Sequence, residues 1–142
     1  MQRFRVLTAT LGLAVILGAS GCITMPGSAG AKVHDVTFTA METEIVVDGN
    51  GTKYKAWTFN GQMPGPVVRV TEGDTVNFTL IGDKNNTFPH SMDFHAAELD
   101  FLKNYHKTVG PGDTHKYSFV AKKPGVFFYH CGAGPMIQHV AR

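Results

Sequence analysis

The chain has 142 residues, 43% hydrophobic and 11% aromatic side chains, and a formal net charge of +2. That length suits one domain with a real core, and the composition excludes a disordered or low-complexity protein. Without Arg3 and Arg5, the 13 basic residues fall to 11 against 11 acidic ones, so the remainder lacks the basic footprint of a nucleic-acid binder. The only two cysteines, Cys22 and Cys131, cannot make a disulfide framework.

Residues 1–21 read as an export signal. Arg3 and Arg5 form a basic n-region and Val6 to Leu17 an apolar h-region, too short and wrongly flanked for a spanning helix. Ala19-Ser-Gly-Cys22 is similar to a bacterial lipobox. It predicts cleavage before Cys22, lipid attachment to Cys22, and a membrane-anchored lipoprotein facing the periplasm or cell exterior. The lipid would then be the only membrane attachment. Residues 22–31, with Pro26-Gly-Ser-Ala-Gly30, read as a flexible tether. The domain proper spans 32–142.

From Lys32 onward, short strands alternate with turn signals, as in an all-β sandwich. Val36, Phe38 and Ala40 share one face of the first strand. Glu44 to Val47 leads into Asp48-Gly-Asn-Gly51, a hairpin turn. Lys55, Trp57 and Phe59 share a face of the next strand, with Trp57 expected in the core. Residues 61–66 form a rigid Pro/Gly loop, and Glu72-Gly-Asp74 turns the chain into Thr75 to Ile81. Strict alternation there points Val76, Phe78 and Leu80 inward. After the loop 82–86 comes Pro89-His90-Ser-Met-Asp93-Phe-His95, and the strand His115 to Val120 follows. His34, His106 and His115 read as surface histidines, with His106 a reserve ligand. No stretch of useful length after the signal has helical period.

The chain closes on Pro124-Gly125-Val-Phe-Phe-Tyr-His130-Cys131 and a loop reaching His139. The run 126–129 reads as a buried strand. Successive strand side chains face opposite sides, so His130 and Cys131 serve different sites. The same parity puts Asp93 and His95 on one face and His90 on the other. Two clusters follow: His90 with Cys131 and His139, and Asp93 with His95 and His130. A thiolate with two imidazoles suits a trigonal electron-transfer copper. Two imidazoles beside a carboxylate suit a catalytic metal with an open position. Zinc satisfies either donor set on ligand grounds alone. With Cys22 lipidated, Cys131 has no disulfide partner in an oxidising compartment, and metal ligation would protect it.

Residues 89–97, 125–131, Phe59-Asn-Gly-Gln-Met-Pro-Gly-Pro66 and Glu72-Gly-Asp-Thr-Val76 resemble the first cupredoxin domain of copper-containing nitrite reductases, within the wider multicopper oxidase group. The resemblance covers about residues 33–142. It implies a Greek-key, plastocyanin-like sandwich with a type 1 copper on His90, Cys131 and His139. It also implies a type 2 copper on His95 and His130, reached along the Cys131–His130 bridge. A small soluble protein would donate the electron, nitrite would be the substrate, and Asp93 would supply a proton. In that family a second cupredoxin domain of a neighbouring subunit gives the type 2 copper its third ligand. A homotrimer therefore goes with a second domain, and residues 1–142 alone are not expected to be a competent reductase.

Two departures stand out. Residues 98–110 lack the Gly-rich segment of those enzymes. Only Val140-Ala-Arg142 follow His139, so the final strand and the axial Met that the resemblance implies, five residues after His139, are expected beyond the given sequence, and the resemblance makes Met136 a non-ligand. The alternatives are a single-domain lipid-tethered electron carrier and another multicopper oxidase. The latter is disfavoured by Gly132, where the trinuclear oxidases carry His.

Overall fold

A computed structural model describes residues 30–98 and 107–142. The leader, Cys22, most of the tether and His106 lie outside the described residues. None of the described helices is long and apolar enough to cross a membrane.

Strand β1 (Val33–Val46) is a single long element and turns back into β2 (Lys53–Phe59). The Asp48 carboxylate fixes the turn. It accepts the Asn50 and Thr52 amides, each at 2.9 Å, and the Thr52 hydroxyl at 2.7 Å, while Gly51 takes the positive φ of 81° that the reversal needs. β1 runs antiparallel to β2 and parallel to β3 (Thr75–Gly82), which pairs antiparallel with β5 (Thr114–Val120). The resulting four-stranded sheet has the order β2-β1-β3-β5. A second, two-stranded sheet pairs β4 (Asp93–Phe94) with β6 (Tyr129–His130). The fold class is all-β, as expected.

The core lies between the two sheets. β3 alternates along its whole length, burying Val76, Phe78 and Leu80, and β1 adds Phe38 and Ala40. Phe94 from β4 and Tyr129 from β6 close an aromatic cluster with Phe38 and Phe78, ring centroids 4.9–6.2 Å apart. Tyr129 also donates to the Pro66 carbonyl at 2.7 Å. A Cβ on Gly65 would run into the Tyr129 hydroxyl, so the 61–66 loop needs glycine there to seat β6. The ligand-bearing strand is thus anchored in the core one residue before His130.

Two expectations are corrected. Trp57 is not in the core: Ala56 and Thr58 take the inward positions of β2, and Trp57 lies on the opposite face. Residues 126–128 are not a buried strand. Val126 is fully exposed, Phe128 is 82% and Phe127 41% exposed, and of this run only Tyr129 packs against the core. Met136–Ala141 form a short helix, α1, entered from an extended Pro135. Six residues are fewer than two turns, too few for a periodic sequence signal.

Candidate metal centres

The loop between β3 and β4 is stitched to β1 before it reaches His90. Buried Asn86 donates to the Ala40 carbonyl at 2.8 Å and accepts the Glu42 amide at 2.9 Å. Glu42 Oε1 then accepts the amides of Thr87 at 2.9 Å and Phe88 at 2.6 Å. The same oxygen stands 3.4 Å from His90 Nε2. His90 is 3% exposed, and its backbone is bridged in both directions to Val109 at 3.0 and 2.7 Å. With Nε2 turned to a carboxylate, Nδ1 is the ring nitrogen left for a ligand, the arrangement in which an outer partner fixes a metal-binding histidine. Burial pushes His90 below the usual histidine range, only partly offset by Glu42, with His139 lowering it further. A neutral imidazole is the form a metal requires.

Cys131 follows β6 and meets Ser91, which is completely buried. The Ser91 amide points at Cys131 Sγ at 3.3 Å, and the Ser91 hydroxyl accepts the Gly132 amide at 2.9 Å. One residue therefore aims a donor at the sulfur and holds the backbone just beyond it. His139 arrives on α1. Its Nδ1 lies 3.1 Å from the Pro135 carbonyl, and its Nε2 is buried with no hydrogen-bond partner. A buried imidazole nitrogen is rarely left so unless something else occupies its lone pair. The ligand atoms of His90, Cys131 and His139 lie within 4.8 Å of one another. One sulfur and two nitrogens, largely screened from water, fit a soft or borderline transition metal such as copper.

The second group faces outward. His95 opens a 3-10 turn (His95–Ala97) directly after β4, and its amide donates to the Phe128 carbonyl at 3.1 Å. His130 Nδ1 sits 3.1 Å from the Cys131 carbonyl, which directs Nε2 towards His95. The two Nε2 atoms are 2.9 Å apart, within hydrogen-bonding distance, which lets both reach one metal. Asp93 Oδ2 is 3.8 Å from both. The side chains of His95 and His130 are 49% and 43% exposed, so this group is more open than the first, in which His90 is buried and Cys131 and His139 are partly buried. Its donors fit a metal that keeps positions for substrate.

The structure brings His90, Cys131 and His139 into one group and Asp93, His95 and His130 into another, on opposite sides of a single peptide bond. Glu42 and Ser91 were not legible as site residues, since an isolated Glu in a strand and a Ser beside a His carry no spacing signal. Trp57 proves to stand against the first group, its ring centroid 4.5 Å from that of His139 and 5.2 Å from that of His90. Two histidines expected at the surface are half-buried: His34 pairs with Asp74 at 2.7 Å, and His115 packs on Tyr117 with centroids 5.4 Å apart.

The multicopper oxidase family profile matches residues 40–140. A copper-containing nitrite reductase of Rhizobium meliloti is 42% identical over 114 residues, which make up 80% of this chain and 30% of that protein. The chain thus spans under a third of the length of that relative. Among solved structures, a copper nitrite reductase from Nitrosomonas europaea superposes with a TM-score of 0.73 at 60% identity, covering 78% of this chain and 38% of that one. A Cu-containing nitrite reductase from Thermus scotoductus gives 0.62 at 36% identity, over 71% and 23%. With a cupredoxin-type β architecture, two His-based metal groups and a family match over most of its length, the chain belongs to the multicopper oxidase family.

Proposed function

We propose that this chain is the first cupredoxin domain of a copper-containing nitrite reductase, reducing nitrite to nitric oxide. The observation that carries the reading is the peptide bond between His130 and Cys131, whose side chains enter two groups of different donor chemistry. Copper supplies one-electron redox chemistry beside a thiolate and Lewis acidity beside two imidazoles. His90, Cys131 and His139 would hold a type 1 copper, which would take its electron from a small soluble donor protein. His95 and His130 would hold a type 2 copper, with the two-residue bridge as the link between the sites.

Nitrite takes one electron and two protons, giving nitric oxide and water. Asp93 delivers one of those protons from Oδ2, which is equidistant from both imidazoles at 3.8 Å. The exposure of His95 and His130 is consistent with a third ligand from a neighbouring subunit's second domain, in a homotrimer.

Asp93→Asn in the full gene product should keep both coppers and lower single-turnover nitric oxide release roughly 100- to 10,000-fold, the usual worth of a positioned proton donor. Unchanged release would remove Asp93 from the mechanism. One copper per chain with no nitric oxide from the unaltered protein would replace the reductase with a tethered electron carrier. For localisation, the lipobox-like Ala19-Ser-Gly-Cys22 supports an exported lipoprotein. Cys22→Ser should block processing or release the protein from membranes, whereas an intact Met1 in exported protein, read by mass spectrometry, would contradict it.

A further inference from the structure

We infer that Trp57 is a positioning residue for the His90–Cys131–His139 centre, the flat wall that sets the ring planes of both histidines. This rests on the metal-centre reading above and assigns a residue to it. A histidine ring turns about a broad, weakly restrained final torsion, so its plane is decided by what it packs against. His90 is restrained on its far side by Glu42, at 3.4 Å from Nε2. His139 has the Pro135 carbonyl just before its helix, at 3.1 Å, and otherwise the His90 ring, with centroids 5.4 Å apart. The indole of Trp57 meets both rings edge-on, at interplanar angles of 79° to His139 and 87° to His90, the tilted arrangement that aromatic pairs prefer.

Trp57 holds the carrier of His139 as well as its ring. Its backbone amide donates to the Arg142 carbonyl at 3.0 Å, and three residues earlier the Tyr54 hydroxyl donates to the Ala141 carbonyl. α1 is therefore tied to the edge of β2 at the residue whose side chain its histidine touches. On its other side the indole packs on Phe88, centroids 5.0 Å apart. It also forms part of the wall of a groove of about 470 Å³ that includes Glu42 and Arg142. Trp57 thus stands between that groove and the two imidazoles.

The chain has a single tryptophan, so substitutions at 57 alter no other indole. In the metal-free full-length protein, the His139 ring protons should be displaced in NMR spectra by the indole ring current. They should return towards ordinary positions in Trp57→Leu. On copper loading, Trp57→Leu should lower the affinity of the thiolate centre roughly 10- to 100-fold, the usual cost of losing an outer partner. Its electron paramagnetic resonance signal should split into several species, while copper at His95 and His130 stays as in the unaltered protein. Trp57→Phe, which keeps a flat ring, should restore a single species. Undisplaced His139 protons, or a Trp57→Leu protein matching the unaltered one in affinity and signal, would overturn the role. No thiolate-to-copper absorption in the unaltered protein would instead sink the copper reading, and the metal-free shifts would still decide the positioning role.

Discussion

Glu42 does three things with one carboxylate oxygen: it closes the turn at Thr87 and Phe88 and it faces the outer nitrogen of His90. Removing it would free two amides and let the His90 ring rotate. Glu42→Ala should therefore weaken copper binding at the thiolate centre roughly 10- to 100-fold, with a smaller loss in Glu42→Gln, which keeps an acceptor oxygen. Competition against a chelator, followed through the thiolate-to-copper band, measures this. An unaltered affinity in Glu42→Ala would show that the loop holds His90 without it. Ligand residues were readable because strand parity and histidine spacing are sequence patterns. Glu42, Ser91 and Trp57 act through contacts between segments far apart in the sequence, a relation that no local pattern encodes.

At the scale of elements, the start of β1 is secured by Asp74, which is 4% exposed at the mouth of β3. Its oxygens accept the Lys32 amide at 2.8 Å, the Thr71 amide at 3.0 Å and His34 at 2.7 Å. These partners, the Lys32 amide first, hold its carboxyl down at about 2, against an ordinary 3.8. The native state thus binds this proton less readily than the unfolded chain. The clamp contributes fully above about pH 4 and is lost as pH falls towards 2. Asp74→Asn should flatten that acid limb in a series of thermal midpoints; an identical limb would mean that other carboxylates cause it. β3 itself was legible because one of its faces is wholly buried and the other polar. The stretch 126–129 misled because it is apolar on both faces, and hydrophobicity alone does not say which face meets the core. α1 escaped because Met136–Ala141 offers too little length for a helical period.

For the molecule as a whole, the outward side of the ligand strand poses the sharpest question. Val126 and Phe128 share the parity of His130, and they stand exposed beside a metal group that is itself half open. Exposed large apolar side chains next to an open metal group are the expected face of an assembly. In the proposed homotrimer, a neighbouring subunit would cover this face and complete the His95 and His130 site in the same contact. Burying one phenylalanine is worth about 1.5–3 kcal/mol, so Phe128→Ser should weaken each interface by roughly 10- to 100-fold. Light scattering over a dilution series should then show dissociation at concentrations where the unaltered protein stays associated. Copper at His95 and His130 should fall along with it. The thiolate-to-copper band should persist, because Cys131 and His139 lie on the other side of the strand and Tyr129 still anchors it. A Phe128→Ser protein that keeps both its assembly and its full copper content would rule this face out as the interface, and the third ligand would have to reach the site from another direction.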